Sequence, residues 1–294
     1  MFKNIIENIG NTPIAKLDLE TPATILAKLE YLNPGGSIKD RAALFMITQA
    51  EKNGDLKPGG TIIEASSGNQ GIAIAMIGAF KGYNVIITVP EQTSEEKIGT
   101  LKAYGAEVII CPDTKDKNDP RNYLSKAKEL LATIPNAFSP NQYINEQNPL
   151  AHYTTTGPEI WKQTDGTITH FLCTKGSCGT ISGVGRFLKE KNKDIQVISV
   201  DEQPSATKPQ KNKIEGIGTG METNLEKEFV DEFMLVSGQD AYDMAKKLAK
   251  QGILVGLSSG AVMCAIENYL PKLKPTDVMV TIFADSGRAY LSKI

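Results

Sequence analysis

Histidine and cysteine are scarce in this chain, and the scarcity narrows its chemistry. Only His152 and His170 occur, with four cysteines: Cys111, Cys173, Cys178 and Cys264. A closed metal site needs several such ligands gathered together. His170 and Cys173 lie in a run read as a strand, and their odd separation sends them to opposite faces. No metal site is expected. Scattered cysteines in a chain without an export signal read as free thiols, not as a disulfide framework. No apolar run is long enough to span a bilayer. The first residues, Met1 to Glu7, lack the apolar core and cleavage site of a secretory signal, so a cytoplasmic location without membrane contact is the expectation. Excess positive charge is missing too. Lys+Arg (32) nearly balances Asp+Glu (34), for a net charge of −2, which argues against nucleic acid as a partner. There are no internal repeats and no low-complexity tail.

What is present is a regular alternation. The 294 residues are 40% hydrophobic, enough to bury a large core in one or two domains. Strands are expected at Thr61–Glu64, Asn84–Val89, Glu107–Cys111, Thr167–Thr174, Gln196–Asp201 and Val278–Phe283. Helices are expected at Asp40–Ala50, Gln70–Phe80, Ser94–Tyr104 (with Ser94 as N-cap), Ser182–Lys191, Ala241–Gln251 and Gly260–Leu270. Short apolar strands alternating with helices predict an α/β fold of twisted, mostly parallel sheets flanked by helices. Two such blocks are separated by an Asn- and Pro-rich stretch, Pro135 to Pro149, read as a crossing between two domains. Glu202 to Lys213 reads as an exposed or mobile loop.

Four Gly/Ser-rich turns fall at strand ends or helix starts, where α/β proteins bind ligands. Asn33-Pro34-Gly35-Gly36-Ser37-Ile38-Lys39-Asp40-Arg41 places a lysine at the start of a helix. Partial desolvation there would favour Schiff-base chemistry at Lys39, although alone the segment reads more readily as a turn with a solvated lysine. Glu64-Ala65-Ser66-Ser67-Gly68-Asn69-Gln70-Gly71 joins a strand to a helix and suits a carboxylate, or is a plain helix cap. Gly176-Ser177-Cys178-Gly179-Thr180 can cradle a phosphate on successive N–H groups. It matches neither the Walker loop nor the dinucleotide fingerprint. Gly216-Ile217-Gly218-Thr219-Gly220 is closer to the dinucleotide spacing but has no flanking strand and helix. Ala284-Asp285-Ser286-Gly287 could point a hydroxyl into the crevice. Together, a lysine, a carboxylate site and a phosphate cradle are what a pyridoxal-phosphate enzyme acting on an amino acid requires.

The same segments resemble the cysteine synthase and cystathionine β-synthase family of fold-type II pyridoxal-phosphate enzymes. Asn33–Arg41 is similar to the family's cofactor-lysine segment and Glu64–Gly71 to its substrate loop. Gly176–Thr180 is similar to its phosphate loop, and Gly252–Gly260 and Asp285–Leu291 to its C-terminal signatures. The resemblance runs in order over essentially the whole chain. It implies two domains with pyridoxal 5'-phosphate in the cleft between them: a smaller, mobile one at 37–145 and a larger, phosphate-binding one at 1–36 plus 146–294. It implies Lys39 as the catalytic residue that carries the cofactor and removes the α-proton. It assigns Asn69 to the ring oxygen, Gly176, Ser177, Cys178, Gly179 and Thr180 to the phosphate, and Ser286 to the ring nitrogen. Ser66, Ser67, Gly68, Asn69, Gln70 and Gln142 would bind the substrate carboxylate, and Gly216 to Gly218 would line its amine side. A homodimer acting on a small amino acid with a thiol or sulfide is implied as well.

Two departures from the family pattern stand out. Cys178 replaces a glycine of the phosphate loop, and Gln70 replaces a threonine beside Asn69. Regulation through a haem-binding extension or a regulatory domain pair is not expected. The leading expectation is synthesis of cysteine from O-acetylserine or serine. Alternatives are condensation of serine with homocysteine, hinted at by Asn148–Tyr153 and Pro90–Lys97, release of hydrogen sulfide from cysteine, and a catalytically weak regulatory paralogue.

Overall fold

A computed structural model describes residues 4–114, 116, 119–203, 214, 216–217, 223 and 227–292. Most of the stretch read as the loop Glu202 to Lys213, and Gly218, lie outside the described residues.

Two sheets organise the molecule. In chain order the strands are β1 (Ile14–Lys16), β2 (Thr24–Leu29), β3 (Thr61–Ala65), β4 (Asn84–Pro90), β5 (Glu107–Cys111), β6 (Ala137–Phe138), β7 (His170–Thr174), β8 (Gln196–Glu202), β9 (Glu232–Val236) and β10 (Val278–Phe283). The larger sheet runs β1-β2-β10-β7-β8-β9 and the smaller β5-β4-β3-β6. Every pairing is parallel except β1 with β2. The helices are α1 (Lys39–Asn53), α2 (Asn69–Lys81), α3 (Glu95–Ala103), α4 (Tyr123–Thr133), α5 (Gln147–Thr154), α6 (Thr156–Gln163), α7 (Gly179–Lys191), α8 (Gly238–Lys250) and α9 (Leu257–Tyr269). Helices cover both faces of each sheet, which is why Val85 to Val89 of β4 are buried without alternation.

The hydrophobic core divides with the sheets. One cluster packs Ile25, Leu172, Ile198 and Met279 of the larger sheet against Ala261, Val262 and Ile266 of α9. A second covers the other face with Phe171, Val197 and Val280 against Ile181, Val184 and Leu188 of α7. The smaller sheet packs Ile62, Ile87 and Val89 against Ile47 of α1 and Ile74 and Ile77 of α2.

Several boundaries differ from the sequence reading. The Pro135–Pro149 crossing contains β6, which pairs with β3, and the first turn of α5. The strand expected from Thr167 begins at His170, because Thr164 to Thr167 form a turn at the end of α6. Helices α7 and α9 begin three residues earlier than expected. Ser94 occupies the N-cap of α3, yet its hydroxyl makes no capping hydrogen bond. No helix among the described residues is long and apolar enough to cross a membrane.

Candidate active site

The carboxyl ends of β3, β7 and β10 and the start of α1 converge between the two sheets. Lys39 is the first residue of α1. The turn before it is stitched to the segment that follows β10: the Ile38 N–H donates to the Ala284 carbonyl at 2.9 Å, and Ser37 forms a β-bridge with Asp285. Lys39 keeps some exposure toward the cleft, but its amine is enclosed by protein. Burial drives its pKa down, opposed only in part by Cys173, Asp285 and Cys178. A lysine held this way carries a larger fraction of neutral, nucleophilic amine than a solvated one.

Arg41, two residues on, fixes the helix start. It bonds Glu30 through Nε at 2.7 Å and Nη2 at 2.8 Å, and Glu159 of α6 through Nη1 at 2.6 Å and Nη2 at 2.7 Å. Lys28 of β2 reaches Glu159 at 2.8 Å. Asn33, in the turn, donates to Glu30 at 2.8 Å. The cluster is buried, so its bidentate pairs fix both distance and orientation.

The expected substrate loop folds around Ser66. Its hydroxyl accepts from the N–H groups of Gly68 at 3.4 Å and Gly71 at 3.2 Å, which bends the chain into α2. Ser67, Gly68 and Asn69 are half-buried at the cleft. The amide of Asn69 donates to Asp285 across the cleft at 2.6 Å. Gln70 is 1% exposed, and neither polar atom of its amide has a hydrogen-bond partner. Gln142 is buried as well, with its side-chain Oε1 unpaired. Two such amides are the polar groups a ligand would satisfy.

Gln142 owes its place to two residues that lie in segments singled out in the sequence but were given no role there. Glu64 of β3 accepts from the Asn141 N–H at 3.0 Å and the Ser139 hydroxyl at 3.3 Å, and burial pushes its carboxyl up to about 7. Asn148 of α5 donates to the Gln142 carbonyl at 2.8 Å and to Ser177 Oγ at 3.1 Å, joining this loop to the expected phosphate loop.

That loop, 176–180, leaves β7 and enters α7. A Cβ at Gly176 would collide with the Gly216 carbonyl, and one at Gly179 with the Asn148 amide, so both positions require glycine. Cys178 adopts a left-handed backbone with φ 67°. Its thiol turns to the Gly176 carbonyl at 3.6 Å and packs in the core with Ile38 and Phe171; burial raises its pKa. Thr180 Oγ1 lies 3.3 Å from Nε2 of His152, whose Nδ1 is 2.9 Å from Thr156 Oγ1. Burial, and then the charges of Lys39 and Arg41, hold His152 neutral, well below its ordinary value. Asn148 and His152 both fell within a segment read only as a mark of one family branch. Ser286 caps the turn after β10, accepting from the Arg288 N–H at 3.3 Å, and bridges Val255. Gly216 meets the site through its backbone.

These residues fit pyridoxal phosphate. The helix start of α7 offers N–H groups together with the hydroxyls of Ser177 and Thr180, in a loop that closes on its neighbours without side chains at 176 and 179. Lys39 lies within electrostatic reach of both that loop and Asp285. A two-sheet α/β fold with a half-buried, desolvated lysine and a glycine-rich helix start facing one cleft fits an enzyme of the pyridoxal-phosphate class.

The comparisons carry this to a family. The model of the pyridoxal-phosphate dependent enzyme family matches residues 5–285, and the chain belongs to that family. It is 41% identical over its whole length to a cystathionine beta-synthase of Apis mellifera, of which it spans 61%. It is 40% identical to a cysteine synthase of Staphylococcus aureus, with 98% of this chain and 95% of that one covered. Among solved structures, a hydrogen sulfide-producing enzyme from Fusobacterium nucleatum superposes with a TM-score of 0.91 at 36% identity, covering 99% of this chain and 98% of that one. An O-ureido-L-serine synthase also gives 0.91, at 30% identity, covering 100% of this chain and 95% of that one.

Proposed function

We propose that the chain catalyses β-replacement on serine or O-acetylserine, with sulfide or a thiol as the incoming group, to form L-cysteine. The observation that carries the reading is Lys39: a half-buried lysine whose pKa is lowered by desolvation, set between the loop 66–71 and the turn 176–180. The chain spans 61% of the longer cystathionine beta-synthase and 95% of the shorter cysteine synthase, and both matches support the same class of reaction.

When bound, pyridoxal phosphate supplies a carbonyl that takes up the substrate amine and an electron sink that acidifies its α-hydrogen. The chain supplies the rest. Lys39 would anchor the cofactor, and its Nζ would take the α-proton of the substrate. The backbone of 176–180 with Ser177 and Thr180 holds the phosphate, and Cys178 contributes its N–H. Neutral His152 orients the Thr180 hydroxyl. Asn69 serves the ring oxygen. Ser286, a neutral donor, serves the ring nitrogen and so does not stabilise ring protonation. Ser66 shapes the loop through which Ser67, Gly68, Asn69 and Gln70, with Gln142, hold the substrate carboxylate; Gly216 lines the amine side.

The first test is the visible spectrum of the cofactor-loaded protein during addition of O-acetylserine, serine and cysteine in turn. A band that shifts with one of them identifies the leaving group. Lys39→Ala should abolish both the band and turnover; a band unchanged in that variant refutes the assignment of Lys39. Condensation of serine with homocysteine is the second reading, favoured by the 41% identity to a cystathionine beta-synthase, of which the chain spans 61%. Initial rates with sulfide and homocysteine in competition separate the two, and hydrogen sulfide evolved from cysteine alone would mark the reverse use of the site. A homodimer is proposed with this function, and light scattering measures it directly.

A further inference from the structure

Asp285 and Tyr290 have no part in the mechanism above, yet they meet Asn69 across the cleft. The Asn69 amide and the Tyr290 hydroxyl both donate to Asp285 Oδ2, at 2.6 Å and 2.5 Å. Asp285 is 2% exposed and Tyr290 4%. Lys97 of α3, also buried, lies 4.4 Å from the centre of the Tyr290 ring. Room for the carboxylate comes from Gly256: a Cβ there would collide with Asp285 Oδ1 and come within 2.9 Å of the Tyr290 ring. The Gly256 N–H donates to the Asp285 carbonyl at 3.1 Å.

An asparagine amide has two ends of nearly equal shape and opposite hydrogen-bonding sense. Asp285 Oδ2 accepts in this contact, so the end of the amide that faces it is the NH₂ group. One of its N–H groups is taken there, and the other remains for a second acceptor. Without the carboxylate, nothing in this pair would prevent the amide from turning its carbonyl forward. Tyr290, pinned by Lys97 and the glycine cradle, holds the carboxylate where Asn69 finds it.

We propose that Asp285, anchored by Tyr290, is a positioning residue that sets the polarity of the Asn69 amide so that it presents a donor to the ring oxygen of the cofactor. This rests on the reading of Lys39 and Asn69 given above.

The test compares wild type with Asp285→Ala, Asp285→Asn, Tyr290→Phe, Asn69→Ala and the Asn69→Ala/Asp285→Ala double variant. Three quantities are read: affinity of the apoprotein for pyridoxal phosphate by fluorescence, the position and pH dependence of the visible band, and the melting temperature of the apoprotein. Asp285→Ala should weaken cofactor binding about tenfold, the scale of one lost charge-assisted hydrogen bond, and move the band as Asn69→Ala does. Asp285→Asn keeps a carbonyl acceptor and should recover most of the loss. Tyr290→Phe keeps the ring and should shift the band less, in the same direction. The double variant should be no worse than Asn69→Ala, since both act on one contact. Additive losses in the double variant, or a wild-type band in both Asp285→Ala and Tyr290→Phe, would overturn the proposal. If Asp285→Ala does not fold, Tyr290→Phe with and without Asn69→Ala decides it. Failure of the underlying reading looks different: a wild-type protein with no band, or a Lys39→Ala variant that retains one.

Discussion

At position 178 a cysteine sits in a backbone region that favours glycine, and its thiol is packed away from solvent. The left-handed conformation costs a side chain about 1–2 kcal/mol, while burial of the small apolar group returns about 1 kcal/mol. Cys178→Gly should therefore leave stability within about 1 kcal/mol of wild type and leave cofactor affinity unchanged. A large loss of affinity would mean that the side chain shapes the loop. Glu64 makes a different prediction. Its carboxyl moves from 4.5 to about 7 on folding because it is buried, so the folded state holds a proton that the unfolded chain releases. The associated stability is present below pH 4.5 and is lost as pH rises toward 7, by about 3 kcal/mol. Asp40, raised from 3.8 to about 7 by burial, acts in the same direction. Glu64→Gln should thus remove about half of the decline seen by urea unfolding across that range; an unchanged slope would exclude Glu64 as a source. Lys39 and the phosphate loop were legible in sequence because each lies in a short local motif. The partners that orient the site were not. Asp285 is 216 residues from Asn69 and His152 is 28 from Thr180, and only folding brings them together.

The start of α1 shows what an element adds to a motif. Periodicity placed a helix from Asp40, and the structure has one from Lys39, but periodicity could not reveal what clamps its first turn. Arg41 is shared between Glu30 and Glu159, and Lys28 completes the cluster on Glu159. Burial pushes the Glu159 carboxyl up, yet hydrogen bonds and charge from Arg41, with help from Lys28, outweigh it and hold it at about 2. Glu159→Ala would leave two buried cations short of a partner, a loss of about 3–5 kcal/mol in equilibrium unfolding. Recovery in Glu159→Gln should be partial, because an amide accepts hydrogen bonds but brings no charge. A loss below about 1 kcal/mol would mean that water replaces the carboxylate. Fully buried strands such as β4 announced themselves as apolar runs, whereas β1 and β6, three and two residues long, carry too few residues to show a pattern.

The whole molecule places the loop proposed to bind the substrate carboxylate and the loop proposed to hold the phosphate on different sheets. Residues 66–71 follow β3 of the smaller sheet, and 176–180 follow β7 of the larger. A ligand that touches both sets must bridge the cleft, and each contact it makes pulls the sheets toward each other. Alternation of strands and helices was enough to foretell two α/β blocks, since sheets covered on both faces leave a strong apolar signal. Their meeting at one cleft depends on long-range contacts such as Ser37 with Asp285 and Asn69 with Asp285, which no local pattern carries. The unpaired amide of Gln70 and the unpaired Oε1 of Gln142 lie on the side proposed to gain hydrogen bonds when substrate binds. We therefore expect residues 37–145 to act as the moving body and the remainder as the frame. Amide hydrogen exchange of the cofactor-loaded protein, with and without a slowly turned-over amino acid, measures this. Protection should rise at 66–71 and 139–142, while β7, β8 and β10, already buried in the larger sheet, should change little. Equal gains in both sheets would indicate general tightening without relative motion, and gains confined to 176–180 would assign substrate binding to the phosphate side.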